Sequence, residues 1–306
     1  MYKSILILPV KILFIVTAGF FTINLVFAQS LEEQTAKFES VANLNLNLTT
    51  TEKAVLLSKT FEELISPFLI SQKMKSLTIN ELQVLFRTVD MTVFYTDEPK
   101  YVSELLKVVD ALKNKKSVLN KHYETLYSAL IQVRELDLAE QIRTDQALAP
   151  SEILPMHSEA RNLSVTLPTE WIVGVDRLSL ERRNVDIGSG IQIIVVSSPG
   201  CPFSRSAIHD IALDPFLKRA FKKYAKWLIP QTRRNHFEDI QKWNSLYPDF
   251  NMTMVYRRQE WINIDHWGTP TFYFFKDGEL SGKVTGWPNE GNGAELRSEL
   301  KKIGLL

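Results

Sequence analysis

Residues 191–207 read IQIIVVSSPGCPFSRSA. The first six carry no charge and are rich in β-branched side chains, the composition of a buried strand; Ser, Pro and Gly end it, and Pro202 stands where a helix accepts proline, in its first turn. Cys201 occupies that loop-to-helix junction and is the only cysteine in 306 residues. A thiol placed there has unpaired N–H groups and the positive end of a helix dipole beside it, and both favour the thiolate, which is the reactive form. Arg205, one turn along the same face, is read as a second source of positive charge, and the Ser204 hydroxyl as a hydrogen-bond donor to the sulfur. The competing reading is a small buried hydrophobe. The junction position favours an exposed, reactive thiol.

Working outward, residues 171–175, 253–256 and 271–275 are strand-like, Asn235 with Glu238 opens a helix, and Asp277-Gly278 is a two-residue hairpin turn between FYFFK and ELSGKV. Strands alternating with helices and ending in a hairpin mean an α/β or α+β arrangement. The combination of IQIIVV, the loop, Cys-Pro-Phe-Ser at a helix start, and Gly268-Thr269-Pro270-Thr271 leading into a terminal hairpin resembles the thioredoxin superfamily over residues 165–306. The resemblance implies that Cys201 is the redox cysteine. It also implies that the Thr269-Pro270 bond is cis and faces Cys201 across a groove, with Thr269, Pro270, Pro202 and Phe203 meeting the substrate. The segment WIVGVDRLSL matches the additional strands of redoxin-like members, and residues 295–303 the last helix.

The departures are informative. Ser204 stands where the family's dithiol motif has its second cysteine, and Gly200 where a tryptophan usually precedes the first. Cys201 and Pro270 are 69 positions apart, so the helix is expected to break at Asp214-Pro215, with extra helix in 230–250. A dithiol site resolves its mixed disulfide with the second cysteine; with Ser204 there, resolution must come from outside, as in Cys-x-x-Ser members that act as monothiol exchangers or client-retention factors. A cluster-binding glutaredoxin is disfavoured because its Gly-Gly-Asp segment is replaced by TFYFFKDGEL. A one-cysteine peroxiredoxin is disfavoured because Ile194 and Ser198 stand where its Pro and Thr belong.

His266, four residues before Pro270, is the one histidine close enough in sequence to pair with the thiolate; His209 lies too far along the helix. No grouping of His, Cys, Asp or Glu has metal-ligand spacing, and nothing calls for a cofactor. Trp261, Trp267 and Trp287 flank the proposed cis-proline region, as groove walls or as core. The basic run Lys218, Arg219, Lys222, Lys223 and Lys226 reads as a solvated helix face.

Residues 1–28 carry Lys3 and Lys11, no acid, and an apolar run, with Val26 and Ala28 suited to signal peptidase. They are expected to be a signal peptide cleaved after Ala28, giving an exported or periplasmic protein without stable membrane insertion. Removing them leaves 34 basic against 35 acidic side chains, which points away from nucleic acid. In an oxidising compartment one cysteine is free, capped or joined to another molecule. Residues 29–148 are helical throughout: Thr49 with Glu52 and Thr78 with Glu81 have capping-box spacing, and Val102, Leu105, Leu106, Val109 and Leu112 recur at helical period. Residues 149–164, with three prolines between 147 and 168, read as a linker. The fold class is therefore α+β in two domains, an all-α N-terminal domain followed by an α/β thioredoxin-like domain with a central mixed sheet. The function expected is monothiol thiol–disulfide exchange, or capture of protein clients or small thiols, through Cys201. The rival is a non-catalytic module whose groove and helical domain bind a partner. Oligomeric state is left open.

Overall fold

A computed structural model describes residues 30–44, 47–149, 154–174, 179–234 and 237–306. The expected signal peptide and the Asn235 cap lie outside the described residues. The first half is a helical layer: α1 (Leu31–Asn43), α2 (Thr50–Leu64), α3 (Ser71–Ser76), α4 (Ile79–Thr96), α5 (Pro99–Asn114), α6 (Asn120–Gln132) and α7 (Leu136–Asp145). Both capping boxes form. The Thr49 side chain accepts from Glu52 N–H while Glu52 reaches back to Thr49 N–H, and Thr78 and Glu81 do the same at α4. Their buried faces, with Leu105, Val109, Leu126 and Leu130 among them, make one apolar core.

The second half is an eight-stranded sheet in the order β1-β3-β2-β6-β5-β4-β7-β8. Its strands are β1 (Met156–Glu159), β2 (Thr169–Val173), β3 (Ser179–Asn184), β4 (Ile191–Val196), β5 (Ala225–Ile229), β6 (Met252–Val255), β7 (Thr271–Lys276) and β8 (Glu279–Thr285). Parallel neighbours require a crossover. The pair α8 (Pro202–Leu213) and α9 (Pro215–Tyr224) supplies it between β4 and β5, and α10 (Phe237–Leu246) between β5 and β6. β7 and β8 run antiparallel beyond β4, and α11 (Gly293–Lys302) closes the chain. The architecture is α+β with a central mixed sheet, and β2 and β3 are the strands formed by the segment around WIVGVDRLSL. The helix break falls at Asp214, whose carboxylate accepts from Phe216 and Leu217 N–H, both at 3.0 Å, and so restarts the helix as α9. In the hairpin turn both Asp277 and Gly278 have positive φ, the type I′ geometry that matches strand twist.

Alternation within β4 and β7 explains their unbroken hydrophobic runs. Ile193, Val195, Phe272 and Phe274 face the helices α8, α9 and α11, while Ile194, Val196, Tyr273 and Phe275 face Trp261, Ile264 and Trp267 on the loop before β7. Both faces are covered, so neither set of alternate positions is polar. Trp261, Trp267 and Trp287 are 1%, 7% and 5% exposed, which makes them core and not groove walls. Two further readings are corrected. The stretch read as a linker contains β1, which pairs in parallel with β3. Lys226 lies in β5, not on the basic helix face, and its ammonium pairs with buried Glu170 at 2.7 Å because the sheet and not a helix sets its direction.

The helical layer meets the sheet through buried polar contacts. Arg134, between α6 and α7, donates to the carbonyls of Tyr256 at 2.8 Å and Val255 at 2.9 Å and stacks on Trp171, 4.5 Å from the ring centroid. Burial lowers its pKa to about 10, so it remains charged at neutral pH. Arg233 pairs with Asp90 at 2.7 Å, and Arg258 pairs with Asp97; burial raises both carboxyl pKa values, with the arginines opposing. No described helix is long and apolar enough to cross a membrane.

Candidate functional site

β4 ends at Val196, and the loop 197–200 turns the chain so that Cys201 becomes the N-cap of α8. Cys201 has extended φ and ψ of −82° and 120°, its carbonyl accepts the first helical bond from Arg205 N–H at 3.1 Å, and its side chain does not cap the helix. The thiol is therefore left out of the cap and lies beside the N–H groups of Phe203 and Ser204. Across from it, the Thr269-Pro270 peptide is cis, and the Cys201 thiol donates to the Thr269 carbonyl at 3.4 Å. The two ends of the Gly-Thr-Pro-Thr and Cys-Pro-Phe-Ser motifs, 68 residues apart, meet at that contact.

Cys201 is half-buried, and its burial pushes the thiol pKa up. Hydrogen bonds to the sulfur from the Thr269 side chain, from Ser204 through both N–H and hydroxyl, and from Phe203 N–H outweigh that, and the pKa falls below the ordinary cysteine value. Ser204 is fully buried, and its hydroxyl oxygen also accepts from Ser198 N–H at 3.4 Å, tying the loop to the helix. Arg205 is placed differently from the expectation. Its guanidinium donates to the Pro199 carbonyl at 3.3 Å and is not among the leading influences on the thiol. The side chain is exposed and follows the loop carbonyl, and the interactions that lower the thiol pKa are hydrogen bonds at the sulfur.

Around the sulfur, Pro202 is exposed and Phe203 is 55% exposed, while Pro270 is buried and Thr269 half-buried. A Cβ at Gly200 would meet Ser198 Oγ at 3.8 Å, an ordinary contact. His266 does not pair with Cys201. Its ring lies against Gly268, close enough that a Cβ there would fall 2.5 Å from Nε2, and its N–H and carbonyl are both bonded to the Tyr273 hydroxyl, at 2.8 and 3.0 Å. His209 sits beside Asp210 at 3.2 Å, two turns along α8.

Sequence reasoning missed the partners that hold the cis-proline segment. Tyr273 donates to Asp265 at 2.8 Å, Lys283 bonds both Asp265 carboxylate oxygens at 2.9 Å, and Thr50 and Thr51 reach the same segment from the helical layer. Residues separated by more than 200 positions leave no local signal of such contacts. Separately, a polar cavity of about 350 Å³ lies at the seam near β1, lined by Arg134, Asp137, His157, Glu159, Arg182 and Tyr256. Its Arg182 is already committed to Glu159 and Glu260, at 2.7 and 2.9 Å.

No protein-family model matches the chain, and no curated protein matches it. Among solved structures, a Neisseria meningitidis protein described as a thioredoxin candidate is similar at 18% identity and a TM-score of 0.31, covering 45% of this chain and 89% of that one. A thioredoxin-like protein from Bacteroides caccae is similar at 12% identity and a TM-score of 0.30, covering 90% of this chain and 94% of that one. At these scores the likenesses add nothing to the strand order. The central mixed sheet, Cys201 at the N-terminus of α8 and the cis bond that faces it are the features that the resemblance led one to expect.

Proposed function

We propose that this is an exported thioredoxin-fold protein that exchanges disulfides through Cys201 as a monothiol. The observation that carries the reading is a single thiol of lowered pKa, held against the Thr269 carbonyl at 3.4 Å, with a buried serine in the resolving position. In the first step the Cys201 thiolate attacks one sulfur of a client disulfide. A bond forms between Cys201 and that sulfur, the client S–S bond breaks, and the released client thiolate takes a proton from water. In the second step a thiolate from the client or from a small thiol attacks the client sulfur of the mixed disulfide, and Cys201 leaves as a thiolate. No net oxidation occurs at Cys201 over the cycle. Exposed Phe203 and the backbone at Thr269 supply apolar and hydrogen-bonding contacts for an extended client segment.

Exported protein run on denaturing, non-reducing gels tests this. Adducts that vanish on reduction and are absent from Cys201→Ser are expected, and Ser204→Cys should shorten their lifetime by restoring a resolving thiol one turn away. If no adducts form and partner binding survives Cys201→Ser unchanged, the thiol is incidental and the protein is a binding module.

A further inference from the structure

The cis-proline segment is gripped from two sides, and one side belongs to the helical layer. The Thr49 box satisfies the Glu52 and Thr49 N–H groups and leaves Thr50 and Thr51, the first two residues of α2, without a partner inside the helix for their N–H groups. Thr51 N–H donates to the Asp265 carbonyl at 3.3 Å, and the Thr50 hydroxyl oxygen accepts from Trp267 N–H at 3.1 Å. From the sheet side, Tyr273 and Lys283 hold the Asp265 carboxylate, the Tyr273 hydroxyl also bonds His266 N–H and carbonyl, and Thr271 donates to the Gly268 carbonyl at 2.7 Å. The next residue, Thr269, bonds Cys201 in two ways: the thiol donates to its carbonyl at 3.4 Å, and its side chain hydrogen-bonds the sulfur, the contact that favours the thiolate and that a displaced segment would lose. Backbone atoms of residues 265, 266, 267 and 268 are thus each fixed by a named partner, and two of those partners come from a helix over 200 positions away.

We infer that the first turn of α2, through Thr50 and Thr51, positions the 265–269 segment and through it Cys201, so that the docked helical layer sets the reactivity of the thiol. The inference deepens the reading of Cys201 as the working thiol and rests on it. Thr50 and Thr51 touch neither the sulfur nor a client. They act by fixing where Thr269 stands, because a hydrogen bond to the sulfur weakens steeply with misalignment and distance. The helical layer is then part of the redox site and not a separate assembly module.

The test uses the full chain and a small alkylating agent, iodoacetamide, which reads the thiolate without any client. Thr50→Val keeps the shape of the side chain and removes the acceptor for Trp267 N–H. The alkylation midpoint of Cys201 is expected to rise by about half a pH unit, which is roughly threefold less thiolate at a pH below both midpoints. Thr50→Ser should restore the wild-type profile. Thr78→Ala, which breaks the other capping box far from the site, serves as the control for general loosening: it should lower the melting temperature and leave the midpoint unchanged. An unshifted midpoint in Thr50→Val overturns the inference, as does an equal shift in Thr78→Ala. The proposed exchange activity fails by a different result, the absence of reducible adducts, so the two failures are distinguishable.

Discussion

Gly268→Ala tests the packing that holds the cis-proline segment. A Cβ at 268 would lie 2.5 Å from His266 Nε2, 3.2 Å from Cδ2 and 3.3 Å from Cε1, all inside the 3.5–4.0 Å or so of ordinary atomic contact. The His266 main chain cannot yield easily, because Tyr273 bonds its N–H and its carbonyl. The ring must swing or the Gly268 backbone must move, and such overpacking costs about 1–3 kcal/mol. Gly268 is not among the positive-φ glycines, so alanine is sterically allowed by the backbone and returns about 0.4–1 kcal/mol by restricting the unfolded chain. The net destabilisation is about 0–2.6 kcal/mol, centred near 1 kcal/mol, and each kcal/mol lowers the melting temperature by about 2–4 °C. In a His266→Ala background the clash is gone, only the unfolded-state effect remains, and the sign reverses: Gly268→Ala becomes stabilising by about 0.4–1 kcal/mol. Urea unfolding of the four full-length proteins, followed by tryptophan fluorescence and far-UV circular dichroism, closes the cycle. Its coupling energy should fall in the range of about 0.5–3 kcal/mol found for residues in contact. Equal costs of Gly268→Ala in both backgrounds would refute the reasoning.

Two further predictions concern the thiol and the seam. Thr269→Val removes the side-chain hydrogen bond to the sulfur and should raise the Cys201 alkylation midpoint, while Arg205→Ala should leave it in place; the opposite ranking would return control to the helix-face charge. The sign follows from a thiol pKa that lies below its ordinary value. Reactivity in excess of a free cysteine is greatest between the lowered and the ordinary value, and it disappears above the latter, where both are ionised. Arg134→Leu keeps an apolar stem but leaves the carbonyls of Val255 and Tyr256 without their guanidinium donor, while the Ile131 carbonyl keeps the backbone N–H of residue 134. At about 1–3 kcal/mol for each orphaned buried acceptor, the loss should be on the order of 2 kcal/mol or more in denaturant unfolding, and a loss under about 1 kcal/mol would show that the seam does not depend on it.

What could be read from the residues was governed by how locally each feature is determined. Asp277-Gly278 announces its hairpin because few residue pairs accept positive φ at both turn positions. The Thr49 and Thr78 boxes are legible because each is complete within four residues, and β4 because a strand covered on both faces is apolar at every position. Cys201 was found by being unique and by standing between a strand and Pro202. β1 was missed because MHSE is exposed at every residue and lies between prolines, with nothing to bury and hence no pattern. Its strand character comes from pairing with β3, 23 positions on. Lys226 was misplaced because a run of basic residues at helical spacing continues past the end of α9 into a strand. The contact of Arg205 is not legible in sequence, because spacing along a helix fixes which face a side chain starts from but not which acceptor it reaches, here the Pro199 carbonyl. The helical layer's contacts with 265–267 join residues whose local sequence is indifferent to them.

In the proposed exchange the lowered thiol pKa acts in both directions. It raises the thiolate fraction available to attack, at some loss of intrinsic nucleophilicity, and it makes Cys201 the better leaving group from its own mixed disulfide, since a thiol of lower pKa departs faster. With no second cysteine in the chain, the lifetime of an adduct is then limited by how readily an outside thiol reaches the bond, and not by the strength of the bond itself. Phe203 is exposed in the first turn of α8, and Gly200 is the residue before Cys201 in the loop, with room for a Cβ at ordinary contact distance from Ser198 Oγ. Under the proposed exchange, a Gly200→Trp variant is therefore expected to lengthen adduct lifetime without raising the alkylation midpoint, because its bulk would stand beside the mixed disulfide while the Thr269, Ser204 and Phe203 hydrogen bonds to the sulfur stay intact; adducts that turn over at the wild-type rate would refute it.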